Sequence, residues 1–173
     1  TSNRNLEVTE PASITARDSI STAIDCNAGT GTVTLTASGG SAPLSYTFDG
    51  TTNATGTATT ISAGPALPDA LPNYNSCGPV TGTLNVTEPA AITASASIST
   101  AIDCNAGTGT VTLTASGGSA PLSYTFDGTT NATGIFTGIS AGAGYAWSVT
   151  DNNSCGPVTG TLNVTEPAAI TAS

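Results

Sequence analysis

Apolar and polar residues alternate along the chain in short stretches separated by turn residues. At 110–116, TVTLTAS puts Val111, Leu113 and Ala115 on one face and threonines on the other, the period of a half-buried β-strand. LSYTF at 122–126 repeats the device with Leu122, Tyr124 and Phe126. The Asp127-Gly128 pair that follows is the signature of a two-residue hairpin turn. GIFTGIS at 134–140, YAWSV at 145–149 and VTGTLNVTE at 158–166 supply further strands, with Tyr145, Trp147 and Val149 sharing one face. With AITASAS at 91–97 in front, this gives about six or seven short strands in 78 residues. The fold class is therefore all-β, an Ig-like β-sandwich in which two sheets each hide one face.

The pattern recurs with a period of 78 residues. STAIDCNAGTGTVTLTASGGSAPLSYTFDGTTNATG stands at 21–56 and again, unchanged, at 99–134. SCGPVTGTLNVTEPA stands at 76–90 and 154–168, and VTEPA occurs three times. The expected organisation is a terminal strand of a preceding repeat at 1–11, one Ig-like repeat at 12–89, a second at 90–167, and the start of a following repeat at 168–173. The TEPA joins read as short, semi-rigid hinges, because proline fixes one dihedral and disfavours helix before it.

The first repeat departs from the second in one place. Where the second reads SAGAGYAWSVTDNNSC, the first reads SAGPALPDALPNYNSC. Tyr145, Trp147 and Val149 become Leu67, Asp69 and Leu71, while Pro68 and Pro72 replace Ala146 and Thr150. Upstream, Ile135 and Phe136 become Thr57 and Ala58. Proline removes ladder donors, and an aspartate in a core position costs several kcal/mol (order of magnitude ~3). An extended, irregular segment at 65–73 is predicted.

Composition narrows the function. The chain has two Lys+Arg against eleven Asp+Glu, no His, and a net charge of −9. Phosphate contacts and attraction to anionic lipid both need cations, so nucleic acid is excluded as a partner, and membrane insertion is excluded because no apolar run reaches the ~20 residues of a spanning helix. Thr and Ser make up 53 of 173 residues, in keeping with short strands and turns. The four cysteines, Cys26, Cys77, Cys104 and Cys155, repeat once per unit without His or a CxxC pair. This reads as one disulfide per domain, Cys26–Cys77 and Cys104–Cys155, and as an extracellular location, rather than as zinc ligation.

Candidate chemistry is sparse. Without His or Lys, general acid/base catalysis would fall to Asp25, Asp49, Asp103, Asp127 and Asp151, all flanked by turn residues, and no catalytic residue is assigned. FDGTTN at 48–53 and 126–131 and TDNNS at 150–154 gather oxygen ligands but lack calcium-loop spacing, so no metal and no cofactor is expected. Tyr145 and Trp147 could stack on a sugar, yet their alternation with Val149 makes them core residues. The threonine row of Thr110, Thr112 and Thr114 reads as a solvated strand face. Asn53, Asn85, Asn131 and Asn163 head N-x-Thr sequons, and Ser19 lies in an Asp-Ser-Ile motif suited to O-glycosylation; these are the candidate glycosylation sites.

The order DCNAGTGTVTLTASGG, APLSYTF, GISAGAGYAWSVTDNNSC and LNVTEP resembles the SprB-type repeat of very large Bacteroidetes cell-surface proteins, including gliding adhesins. The resemblance implies secreted, Ig-like, tandem-repeat stalks and brings no catalytic residues with it. The expected function is a non-enzymatic structural module of a repetitive surface adhesin or filament. Its partners would be neighbouring repeats or identical subunits in a fibre, joined head to tail, and surface glycans. A carbohydrate-binding module is the alternative.

Overall fold

The computed structural model describes residues 12–72 and 79–172. Among these, all regular structure is β: fourteen strands in four sheets. The first repeat contributes β1 (Thr15–Thr22), β2 (Gly31–Ser38), β3 (Tyr46–Phe48), β4 (Thr51–Asn53), β5 (Thr57–Ile61), β6 (Gly64–Leu71) and β7 (Val80–Val86). The second contributes β8 (Thr93–Thr100), β9 (Gly109–Ser116), β10 (Ser123–Phe126), β11 (Thr129–Asn131), β12 (Ile135–Ile139), β13 (Gly142–Thr150) and β14 (Val158–Val164). Each repeat has a three-stranded sheet (β1-β2-β5; β8-β9-β12) and a four-stranded one (β4-β3-β6-β7; β11-β10-β13-β14), an Ig/FnIII-like sandwich of seven strands.

The chain divides into two compact units. The first holds the described residues up to Ile24 and Ala28–Glu88. The second holds the residues from Pro89 onward together with Asp25–Asn27, which belong in sequence to the β1–β2 loop.

In the second unit the core is Ile102, Val111, Leu113, Phe126, Phe136, Val149 and Val164, with Tyr145, Trp147 and Leu162 half-buried against it. Val111, Leu113, Phe126, Tyr145, Trp147 and Val149 are positions that alternation assigns inward. Phe126 packs on Phe136 and Tyr145 with ring centroids 5.6 and 5.4 Å apart. Trp147 lies opposite Gly160, where a Cβ would run into the indole ring. The outward hydroxyls tie neighbouring strands: Thr93 with Ser116, and Ser95 with Thr114, at 2.8 and 3.0 Å. The hairpin turn forms as the Asp-Gly pair predicts, with Asp127 and Gly128 at φ 46° and 77°.

The first unit corrects the reading of 65–73 as irregular. Residues 64–71 form β6, paired with β7 from Gly64↔Val86 to Leu71↔Val80. Pro68 is tolerated because its carbonyl does what Ala146 does in the second unit: it accepts a bond from Asp49 N–H at 2.8 Å, as Ala146 accepts from Asp127 at 2.9 Å. Pro72 stops the strand one residue short, and β3 pairs with β6 only at Thr47↔Ala70 and Phe48↔Asp69. Leu71 is fully buried and Leu67 packs against the core. Only Phe136 to Ala58 removes core volume upstream, since Ile135, the mate of Thr57, is 52 % exposed.

Asp69 carries the cost. It is 7 % exposed and its Oδ1 has no hydrogen-bond partner among the described residues. Burial, and then the nearby Asp18 carboxylate, push its pKa up against the lowering effect of backbone N–H groups at Asp69 and Gly82.

Candidate functional site at the cysteine loops

Identical sequence builds the β1–β2 and β8–β9 loops. Each starts from a buried isoleucine, Ile24 or Ile102, and turns through Asp-Cys-Asn-Ala. The alanines, Ala28 and Ala106, are left-handed at φ 58° and 60°, a conformation costing about 1 kcal/mol or more for a residue with a Cβ. A carboxylate holds each one. Glu88 accepts from Ala28 N–H at 2.7 Å, and Glu166 from Ala106 N–H at 2.6 Å. The asparagine amides finish the grip: Asn27 Nδ2 donates to Pro89 O at 3.3 Å and Asn105 Nδ2 to Pro167 O at 3.2 Å. The Glu-Pro of each TEPA motif is thus the dock for the cysteine loop. Sequence reasoning missed this, although Cys and Glu recur 62 residues apart in both repeats.

The β13–β14 loop carries the other kind of cysteine. Asp151 is buried, and its carboxylate accepts from the N–H groups of Ser119 (2.8 Å), Asn153 (3.0 Å) and Cys155 (2.8 Å). The Ser119 bond, with those from Cys155 and Asn153, outweighs burial and holds the pKa below the ordinary carboxylate value. Asp151 therefore positions the backbone at Cys155. Asn153 Nδ2 donates to Asp25 O at 3.0 Å, and the Cys155 sulfur lies 3.3 Å from the same carbonyl.

Cys155 is bonded to Cys26, with Cα atoms 5.5 Å apart and 129 residues between them in sequence. This corrects the expected pairing within each repeat. Cys104 sits on a loop docked at Glu166, just past the end of β14, whereas Cys155 precedes its start at Val158. A strand of seven residues spans about 23 Å, and a disulfide needs Cα atoms within about 7 Å. Cys104 is exposed and has no disulfide partner among the described residues. Cys26, being committed to Cys155, is not paired with Cys77, which itself lies outside the described residues.

The remaining candidates take structural places. Asn53 and Asn131 are half-buried turn formers: each Oδ1 accepts the Gly56 or Gly134 N–H at 2.8 or 2.7 Å, and each Nδ2 donates to Thr57 or Ile135 O at 3.1 or 2.9 Å. Asn85 and Asn163 are exposed, with Oδ1 accepting from Ala66 and Gly144 N–H, both at 2.7 Å. Ser19 is exposed on β1. Asp49 and Asp127 occupy hairpin turns, and Asp25 and Asp103 lie in the two cysteine loops. Among the described residues no three His, Cys, Asp or Glu side chains come together as a metal would need.

Two seven-stranded sandwiches, repeated cysteine loops and a disulfide reaching from one sequence repeat into the next define a tandem Ig/FnIII-like repeat protein. The SprB repeat family model matches the chain twice, at residues 19–55 and 96–131. No curated protein sequence matches it. Among solved structures it is similar to the three N-terminal domains of the bacteriophage RB49 highly immunogenic outer capsid protein, at 14 % identity and a TM-score of 0.45. That match covers 87 % of this chain but only 58 % of the phage chain. It is also similar to Clostridium thermocellum CbhA fibronectin(III)-like modules (12 % identity, TM-score 0.31, 89 % and 95 % covered). A third similarity is to the N-terminal four Ig domains of Dscam1 (15 % identity, TM-score 0.36, 91 % and 48 % covered).

Proposed function

We propose that the chain is a non-enzymatic, extracellular structural module of a repetitive surface adhesin or filament, supplying length and stiffness. The observation that carries this is the Cys26–Cys155 disulfide, set in loops that the sequence rebuilds at every period. Repetition sets reach, and the bond makes a covalent path that bypasses the chain between its ends. In the chain-entropy picture a closed loop of 129 residues stabilises by about 5 kcal/mol. Such a bond fits an oxidising compartment, and SprB-type repeats are modules of cell-surface adhesins. The buried carboxylates also fit a structural role, because the most engaged, Asp151, spends its oxygens on backbone N–H groups.

Antibody labelling of intact producing cells, with protease shaving, tests the reading. Surface signal lost on shaving is expected; signal only after lysis would refute it. A glycan array is the companion measurement, and saturable binding with a Trp147 fluorescence change would favour the carbohydrate-binding alternative.

A further inference from the structure

Strands of eight residues stand at the same edge of both three-stranded sheets, β1 in the order β1-β2-β5 and β8 in the order β8-β9-β12. Each leaves one side of its backbone without a ladder partner among the described residues, a template on which a further strand can be added. The other edges of the second unit are poorer templates. β11 has three residues, β12 has five with a register shift between Thr137 and Ile139, and Gly160 interrupts β14.

The two long edges differ at two positions: β1 reads TARDSIST and β8 reads TASASIST. Arg17 is exposed, whereas Asp18 is half-buried and pairs with the buried Leu35, so it turns toward the interior. A charge turned inward on an edge strand is a guard, because an added strand would cover the carboxylate without giving it a partner. In β8 the same places hold Ser95 and Ala96, and neither a charge nor a proline stands anywhere in the strand.

We infer that β8 is an interaction edge, and that its occupant is β8 of a second copy of this chain, added antiparallel about a two-fold axis. The product is a continuous sheet in the order β12-β9-β8-β8-β9-β12. Centring the pair on Ala96 sets Ala94 across from the partner's Ile98, on the inward face. Ile98, 38 % exposed at the rim, thereby gains an apolar neighbour. On the outer face Ser95 meets the partner's Ser97, which extends the hydroxyl pairs that Thr93 makes with Ser116 and Ser95 with Thr114. The same register at β1 would set two Asp18 carboxylates directly opposite each other, a destabilising pair. A mixed pairing of β1 with β8 would cover one of them unpartnered. This goes beyond the surface-module reading and does not depend on it.

The test is sedimentation velocity on the full chain over a concentration series, with hydrogen exchange of the β8 amides in parallel. The exposed Cys104 is first capped with iodoacetamide, so that thiol bridges play no part. A concentration-dependent dimer is expected, with exchange from residues 93–98 slowed severalfold as it forms. Ser95→Arg with Ala96→Asp copies the guard of β1 and should leave a monomer. Ser95→Asp with Ser97→Asp, both at exposed positions, places carboxylates opposite each other twice and should do the same without touching the interior. Arg17→Ser with Asp18→Ala opens a second edge and should carry assembly past the dimer. A monomer throughout the series, a dimer that the two β8 variants leave intact, slowed exchange at another strand instead of β8, or an opened β1 that stops at the dimer would each overturn the inference. Cell labelling decides the surface-module reading separately.

Discussion

Pulling the chain from its two ends should expose the disulfide's connectivity directly. Cys26 and Cys155 are 5.5 Å apart across the bond but 129 residues apart along the chain. While the bond is intact, β2 through β13 lie inside the closed loop and bear no end-to-end load. Only β1, which precedes Cys26, and β14, which follows Cys155, can be drawn out. Reduction, or Cys155→Ser, puts the 129 residues back into the force path. At about 3.3–3.6 Å per residue, this adds about 430–460 Å of contour length. The assay is single-molecule force spectroscopy on the full chain held by terminal peptide tags, with and without a phosphine reductant. Within-repeat bonds would instead hide two segments of 51 residues, each releasing about 170–180 Å on reduction. Two such increments, or full extension of the oxidised chain, would refute the connectivity and with it the bypass argument.

Asp69→Trp should stabilise the first unit by about 2–4 kcal/mol in denaturant unfolding, because it removes an unpartnered buried oxygen and lays a ring over Gly82 as Trp147 lies opposite Gly160. With the folded pKa of Asp69 raised, the fold binds its proton more tightly than the unfolded chain does. Its penalty should therefore fade as pH drops from neutral through the raised value toward 3.8, and Asp69→Asn should lose this acid-side gain in urea titrations. Asp151 has the opposite sign: its contribution is present above 3.8 and is lost as pH falls below that through the lowered folded value. Asp151→Asn should flatten that acid limb, and should slow re-formation of the Cys26–Cys155 bond after reduction, measured by timed alkylation.

Alternation made the strands legible because each sandwich hides one face of each sheet: Val111, Leu113, Phe126 and Val149 are all buried where the period places them. The same device rescues β6. Leu67 and Leu71 keep an inward face, and proline at 68 is harmless once its carbonyl, not its missing N–H, is what the neighbouring turn requires. Periodicity alone reads Pro-rich sequence as broken because it cannot see which side of the backbone is bonded. Ile135 shows the converse, since an apolar residue in a strand window points to solvent at 52 % exposure.

The cysteine pairing was hidden for a topological reason. In a repeat of fixed period, a bond within each unit and a bond from each unit to the next give the same spacing arithmetic. What separates them is parity. Consecutive antiparallel strands reverse direction, so loops on either side of an odd number of strands leave opposite ends of a sandwich. Five strands, β9 to β13, separate Cys104 from Cys155. A sequence reading that leaves the strand count at six or seven cannot fix that parity. Once it is fixed, a bond within the repeat is ruled out, and the first cysteine of one repeat is left facing the second cysteine of another. The TEP glutamate then ceases to be a spacer residue. By docking the loop at the end of the last strand, it decides which cysteine is within reach.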